Sequence, residues 1–216
     1  MRYYPAFLNL ENRIAVVVGG GPVAERKTLS LIETGANVVV ISPELTVALH
    51  TLVKNRQIHH ISRLFRKGDL KGAILAVAAT DSPETNREIS LEGDSLSIFV
   101  NNVTSPERST FIVPALLSRG DLQIAVSTGG QSPSLAGNLK EKLEGIFGPE
   151  YEDFLGLIGQ ARKYFLKNGF PEKERTALLN KLAESDILAL LKNGEKEDAV
   201  QKARDISGID KLNLGN

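Results

Sequence analysis

A chain of 216 residues can hold one good core with an appendage, or two modest domains. Its 26 Lys and Arg balance 26 Asp and Glu, which excludes a global basic field of the kind that recruits nucleic acid. The absence of cysteine excludes disulfides, zinc–thiolate sites and thiol catalysis, and is compatible with the cytosol. No segment reaches the about 18 apolar residues that span a membrane, and the first residues lack a signal-peptide core. A cytoplasmic protein with neither a membrane nor a nucleic-acid partner is expected.

In chain order, the first element is a buried strand over Ile14-Ala-Val-Val-Val18 that breaks into Gly19-Gly20-Gly21. Gly19, Gly21 and Ala24 fit G-x-G-x-x-G/A: one glycine for the turn, one to admit a pyrophosphate to the backbone, and a small residue to pack helix on strand. A helix follows Pro22, with Val23, Leu29, Leu31 and Ile32 as its apolar side and Gly35 as a left-handed stop. Asn37-Val-Val-Val-Ile41 reads as a second parallel strand, ending at Ser42-Pro43-Glu44. Glu44 is the acid expected about 20 residues beyond the glycines, where it holds the adenosine ribose hydroxyls. A carboxylate there repels a 2′-phosphate, so NAD is expected rather than NADP. The plain alternative for Glu44 is a solvated loop acid.

The alternation continues with a short strand in Ile58–Phe65, a strong strand over Ala73–Ala79, and a helix capped by Ser82 with Pro83 first, running to about Glu92. Ser97–Val100 is the next strand. Thr80, Asp81, Asn101 and Asn102 follow strand ends, where an open parallel sheet forms its ligand crevice. Turn and cap chemistry is their competing reading.

Beyond Pro106 the pattern changes. Thr110–Val113 and Leu122–Ser127 read as strands, and the intervening Pro114–Asp121 is too short for a crossover helix. Thr128-Gly-Gly-Gln-Ser-Pro133 leads into a helix ending near Gly148. Its backbone amides can receive an anion, which makes Ser127 and Thr128 substrate candidates, or it is a plain connection. From Pro149 the chain is helical, with Tyr151, Phe154, Leu155, Ile158 and Phe165 at helical spacing, read as core or interface rather than a cofactor box.

Taken together, Val17-Val-Gly-Gly-Gly-Pro-Val-Ala-Glu-Arg-Lys27, Ala76-Val-Ala-Ala-Thr-Asp81, Ile98-Phe-Val-Asn-Asn-Val103, Ser109-Thr-Phe-Ile-Val-Pro114 and Ala125-Val-Ser-Thr-Gly-Gly-Gln-Ser-Pro133 resemble the precorrin-2 dehydrogenase family, the module that also forms the N-terminal part of siroheme synthases. The resemblance implies an α/β fold: a Rossmann NAD-binding domain over 1–113, a central dimerisation segment over 114–149 and a helical domain over 150–216. It implies NAD-dependent oxidation of precorrin-2 to sirohydrochlorin, on the route to siroheme or cobalamin, by a homodimer whose site lies between the nucleotide domain and the dimer partner. Gly19, Gly20, Gly21, Pro22 and Val23 would line the pyrophosphate turn, and Pro43 and Glu44 the adenosine side. Arg26, Lys27, Arg108, Arg119 and Lys140 are candidates to meet the carboxylates of the macrocycle, against a reading of each as a solvated charge.

Two positions depart from the family. Thr104 stands where members that also insert iron carry an aspartate, and a threonine can neither act as a base near neutral pH nor offer an anionic oxygen to a divalent metal. Gly137 stands where an arginine is expected. No metal site is expected: His59 and His60 would point to opposite faces of a strand, and His50 stands alone. Two alternatives accompany the dehydrogenase: an enzyme that also inserts iron, and a carrier or sensor that binds NAD or the tetrapyrrole without turnover.

Overall fold

Five short strands assemble into one sheet in the computed structural model, which describes residues 3–214. They are β1 (Ile14–Val18), β2 (Asn37–Ile41), β3 (His59–Ile61), β4 (Leu75–Ala78) and β5 (Phe99–Asn102). All are parallel, in the order β3-β2-β1-β4-β5. Helix α1 (Pro22–Ile32) and α2 (Val47–Lys54) cover one face, and α3 (Pro83–Leu96) the other. The two cores show why the central strands read as unbroken apolar runs. Ala15, Val17, Val38, Val40, Leu75 and Val77 face Ala24, Leu31 and Leu49. Val16, Val18, Ile41, Ala76, Ala78 and Val100 face Ile89. Successive strand residues point to opposite faces, so a sheet covered on both sides buries residues of both orientations.

Several elements differ from the sequence reading. The buried stripe of α1 is Ala24, Thr28 and Leu31, while Val23 and Leu29 are exposed. The i, i+4, i+7 spacing puts the small Ala24 against β1, where a larger side chain would not fit. Gly35 does adopt a positive φ of 75° just beyond α1. Helix α2 is absent from the expected elements, although Thr46 caps it by accepting from the Leu49 amide at 3.3 Å. Helix α3 runs on to Leu96 and delays β5 by two residues.

The chain divides after Val113, and the second unit is built differently. Ala115–Arg119 (β6) pairs antiparallel with Leu122–Val126 (β7), so the stretch expected to be a connection is itself a strand, and Thr110–Val113 is not one. Gly120-Asp121 is the hairpin turn, with Gly120 at φ 55° in the position such a turn reserves for glycine. Helix α4 (Pro133–Glu144) is capped by Ser132, as expected. Helices α5 (Glu150–Lys167), α6 (Glu172–Ala183), α7 (Ile187–Asn193) and α8 (Lys196–Ser207) enclose Phe154, Leu157, Phe165, Leu182, Ile187 and Ala203. The periodic aromatics of this region are therefore packing residues: Phe165 is fully buried and packs against Phe170 with 4.9 Å between ring centroids and the rings tilted by 45°.

Candidate functional site

The strand order reverses at β1, whose neighbours β2 and β4 connect in opposite directions, and the carboxyl ends of these three strands open into a cavity of about 630 Å³. That is the size and position of a nucleotide crevice in a doubly wound sheet. Gly19, Gly20, Gly21, Pro22, Val23, Pro43, Glu44, Thr80 and Asp81 all line it. Asn101 does not; its side-chain amide donates to the Phe111 carbonyl at 3.3 Å. Ser42, Leu45, Thr46, Leu64, Phe65, Ser82 and Thr85 also line the cavity. Of these, Thr46 and Ser82 carry helix-cap signals in the sequence, whereas Leu64 and Phe65 carry none.

Each glycine of the turn meets a different constraint. At Gly19, φ is 124°, and a Cβ would lie 2.2 Å from the Ala79 carbonyl oxygen beyond β4. At Gly20, a Cβ would lie 1.9 Å from the Glu44 carbonyl oxygen, because the loop after β2 folds directly over the turn. The Thr46 amide donates to the Gly20 carbonyl at 3.0 Å, and the Thr46 hydroxyl donates to Glu25 at 2.5 Å. Glu25 thus ties α1 to the cap of α2. Gly21, the N-cap of α1, has open space where its Cβ would be and faces the cavity. Two glycines permit contacts of the protein with itself; the third leaves room at a helix N-terminus, where anions are favoured.

The opposite wall is set by a buried amide network. Asn86, fully buried, accepts from the Thr80 amide at 3.1 Å and hydroxyl at 2.8 Å, and donates to the Thr80 carbonyl at 2.9 Å and to the Thr104 hydroxyl at 3.1 Å. Asn102, also buried, donates to the Asn86 carbonyl and to Ser90, and its oxygen accepts from the amides of Thr104 and Ser105 and from the Thr104 hydroxyl. Thr104 is therefore a two-way link, accepting from one asparagine and donating to the other.

The expected substrate residues are dispersed. Arg26, Lys27 and Arg108 form no ion pair among the described residues, and none lines the cavity. Burial, reinforced by the charge of Arg26, pushes the Lys27 ammonium below the usual lysine range. Arg119 donates to the carbonyls of Phe147 and Ser118, and Lys140 pairs with Glu144 at 2.9 Å. Ser127 and Thr128 hold their own loop: the Ser127 hydroxyl accepts from the Gly129 amide, and Thr128 bonds both backbone groups of Ser132. His60 donates from Nε2 to the Ser42 carbonyl at 2.9 Å and so braces the cavity loop. Among the described residues, no cluster of three or more His, Cys, Asp or Glu could hold a metal, and no helix is long and apolar enough to cross a membrane.

Residues 6–115 match the family model described as "Putative NAD(P)-binding". The chain belongs to this NAD(P)-binding family. In this NAD(P)-binding chain, residues 119–146 further match the model "Sirohaem biosynthesis protein central". Relatives include the siroheme synthase of Methylobacillus flagellatus, 34% identical over 216 residues that cover 100% of this chain and 46% of that protein. The siroheme synthase of Thioalkalivibrio sulfidiphilus is 35% identical over 219 residues, covering 100% of this chain and 44% of that one. The chain spans less than half the length of these relatives. Among solved structures, "SirC, precorrin-2 dehydrogenase" shares the fold with a TM-score of 0.79 at 24% identity, over 94% of this chain and 100% of that one. The resemblance carried by the motifs is borne out by the siroheme synthase relatives, and the α/β architecture with a helical C-terminal region by the fold match.

Proposed function

We propose that this chain oxidises precorrin-2 to sirohydrochlorin with NAD in siroheme synthesis. The observation that carries the reading is the glycine-turn cavity at the switch point of the sheet, in a chain that aligns over its whole length with siroheme synthases. Bound NAD supplies the hydride acceptor. Gly21 leaves space for the diphosphate at the start of α1, and Glu44, exposed at the rim, meets the adenosine ribose hydroxyls. Thr80 and Asp81 line the side toward β4. Loss of a hydride to the nicotinamide and of a proton to water extends the conjugation of the macrocycle, so the residues need chiefly to hold the two partners in line. Of the candidate cations, Arg26, Lys27 and Arg108 form no ion pair among the described residues and so keep their charge available to substrate carboxylates, whereas Arg119 and Lys140 already have partners.

Purified protein given precorrin-2 and NAD should generate NADH together with the sirohydrochlorin spectrum. A folded sample that binds NADH but yields neither product would overturn the reading in favour of a carrier. NAD should be preferred to NADP by about tenfold or more, because Glu44 faces a 2′-phosphate with like charge. Glu44→Gln should narrow that ratio, measured as kcat/KM for each cofactor.

Iron insertion is proposed to be left to another protein, since Thr104 offers no carboxylate and its hydroxyl is engaged by Asn86 and Asn102. In Thr104→Asp the new carboxylate could still accept from Asn86 but would face the Asn102 oxygen as a second acceptor. That variant should lose about 1 kcal/mol of stability in urea unfolding. Wild-type iron insertion into sirohydrochlorin above the uncatalysed rate would refute the assignment.

A homodimer is also proposed. Supporting it, β6 and β7 form a sheet of only two strands, and Leu116, Leu135 and Ile146 are exposed in the same unit. Sedimentation equilibrium should return twice the 23.4 kDa chain mass; a monomer mass at micromolar concentration would exclude it.

A further inference from the structure

The loop between β3 and β4 is held far more firmly than a surface connection requires. Arg63 grips Asp69 with both guanidinium nitrogens, Nη1 to Oδ2 and Nη2 to Oδ1, each at 2.7 Å. The Arg66 amide donates to the same carboxylate at 2.8 Å. Below this clasp, the buried carboxylate of Glu92 accepts from the amides of Gly68 and Leu70 at 3.0 and 3.1 Å. Arg63 also donates from Nη1 to the Leu64 carbonyl at 3.0 Å, so the ion pair fixes the backbone of Leu64 itself. Leu64 nevertheless leaves 72% of its surface exposed, and with the half-buried Phe65 it lines the cavity. An exposed leucine is ordinary; one whose backbone is held at a cavity wall presents apolar surface to whatever enters.

The order of the sheet says which part of a dinucleotide that is. The glycine turn follows β1, Glu44 follows β2, and Leu64 and Phe65 follow β3, three adjacent strands. Diphosphate over β1 and ribose beside Glu44 leave the attached base at the β3 edge, where Ile41, Pro43 and Leu45 continue the apolar lining. We propose that the Arg63–Asp69 clasp is a positioning device that holds Leu64 and Phe65 as the wall on which the adenine of the cofactor rests. Arg63 and Asp69 act through the loop, and the contact with the base is made by Leu64 and Phe65.

The inference rests on the cofactor reading of the cavity and is independent of the substrate. The test uses the full chain and binding alone: fluorescence titration with NADH and with reduced nicotinamide mononucleotide, which lacks the adenosine half, and competition by ADP-ribose. Leu64→Ser should weaken NADH and ADP-ribose by about tenfold, the scale of uncovering much of one apolar side chain. Asp69→Asn should weaken both in the same direction, and neither variant should change the affinity for the mononucleotide. Unchanged NADH binding in Leu64→Ser, or equal losses for NADH and the mononucleotide, would overturn the proposal. A folded Asp69→Asn that keeps wild-type NADH affinity would equally overturn the role of the clasp; should it fail to fold, Arg63→Gln takes its place, while Leu64→Ser, whose side chain supports no core, tests the contact. Absence of NADH binding in the wild type would defeat the cofactor reading and this inference together, whereas failure of precorrin-2 oxidation alone would leave the titrations decisive.

Discussion

Gly19→Ala should unfold the first unit, while Gly21→Ala, two residues on, should keep the fold and lose the cofactor. At Gly19 the backbone has a φ of 124° and the new methyl would sit 2.2 Å from the Ala79 carbonyl oxygen. That oxygen cannot retreat freely, because the Ala79 amide is bonded to the Val18 carbonyl at 2.8 Å and continues the register of β4 on β1. Strain and clash together should cost about 4 kcal/mol or more, a large part of a domain's total stability. Urea unfolding of the variant should show a strongly reduced midpoint, or the protein should be insoluble. At Gly21, by contrast, φ is −84° with extended ψ, and nothing lies within 4 Å of an added Cβ. Its melting temperature should stay within about 2 °C of wild type, since the change touches no contact. The methyl enters the cavity, however, and NADH affinity should drop by about tenfold or more, the cost of about 1.4 kcal/mol for crowding a bound diphosphate at the helix start. Wild-type affinity in Gly21→Ala would show that the diphosphate does not approach the turn.

Asn86→Ala should be nearly as damaging, through a different mechanism. The fully buried amide satisfies the Thr80 amide, hydroxyl and carbonyl and the Thr104 hydroxyl at once. Removing it strands polar groups and leaves a cavity, for a loss of about 2–4 kcal/mol. Asn86→Asp should fare no better, because a carboxylate cannot donate to the Thr80 carbonyl and would be buried without a cation. The functional readout separates this network from generic packing. Thr80 and Ser82 line the cavity, so the folded fraction of either variant should bind NADH more weakly, which titration below the melting transition would detect. Full affinity in the folded fraction would restrict the network to a structural role.

The strand, glycine turn, helix and second strand are legible in the sequence because their demands leave a mark on residue type: continuous burial makes β1 and β2 apolar runs, and the close approach of Ala79 and Glu44 leaves no room for a side chain at Gly19 and Gly20. The acid Glu44 is legible for the same reason, by its distance along the chain from the turn. What escapes is set by tertiary contacts. Hydrophobicity assigns Leu29 to the buried side of α1, yet Thr28 is fully buried and Leu29 is 41% exposed, because close packing on β1 selects the side of the helix that carries Ala24. The β6 strand escapes because its only strong signal, Gly120-Asp121, lies inside a stretch too short for a crossover. Asn86 and Leu64 carry no local signature at all; one acquires its role from Thr80 and Thr104, the other from a clasp that forms around it.

Every residue lining the cavity lies between Val18 and Thr85, inside the first of the two units. Chains are made from the N-terminus at about 5–20 residues per second, and domains fold as units as they emerge. The cavity is thus encoded in full before translation reaches the β6–β7 ribbon. On a nascent chain, cofactor could bind and stabilise this unit by mass action while the rest is still being synthesised.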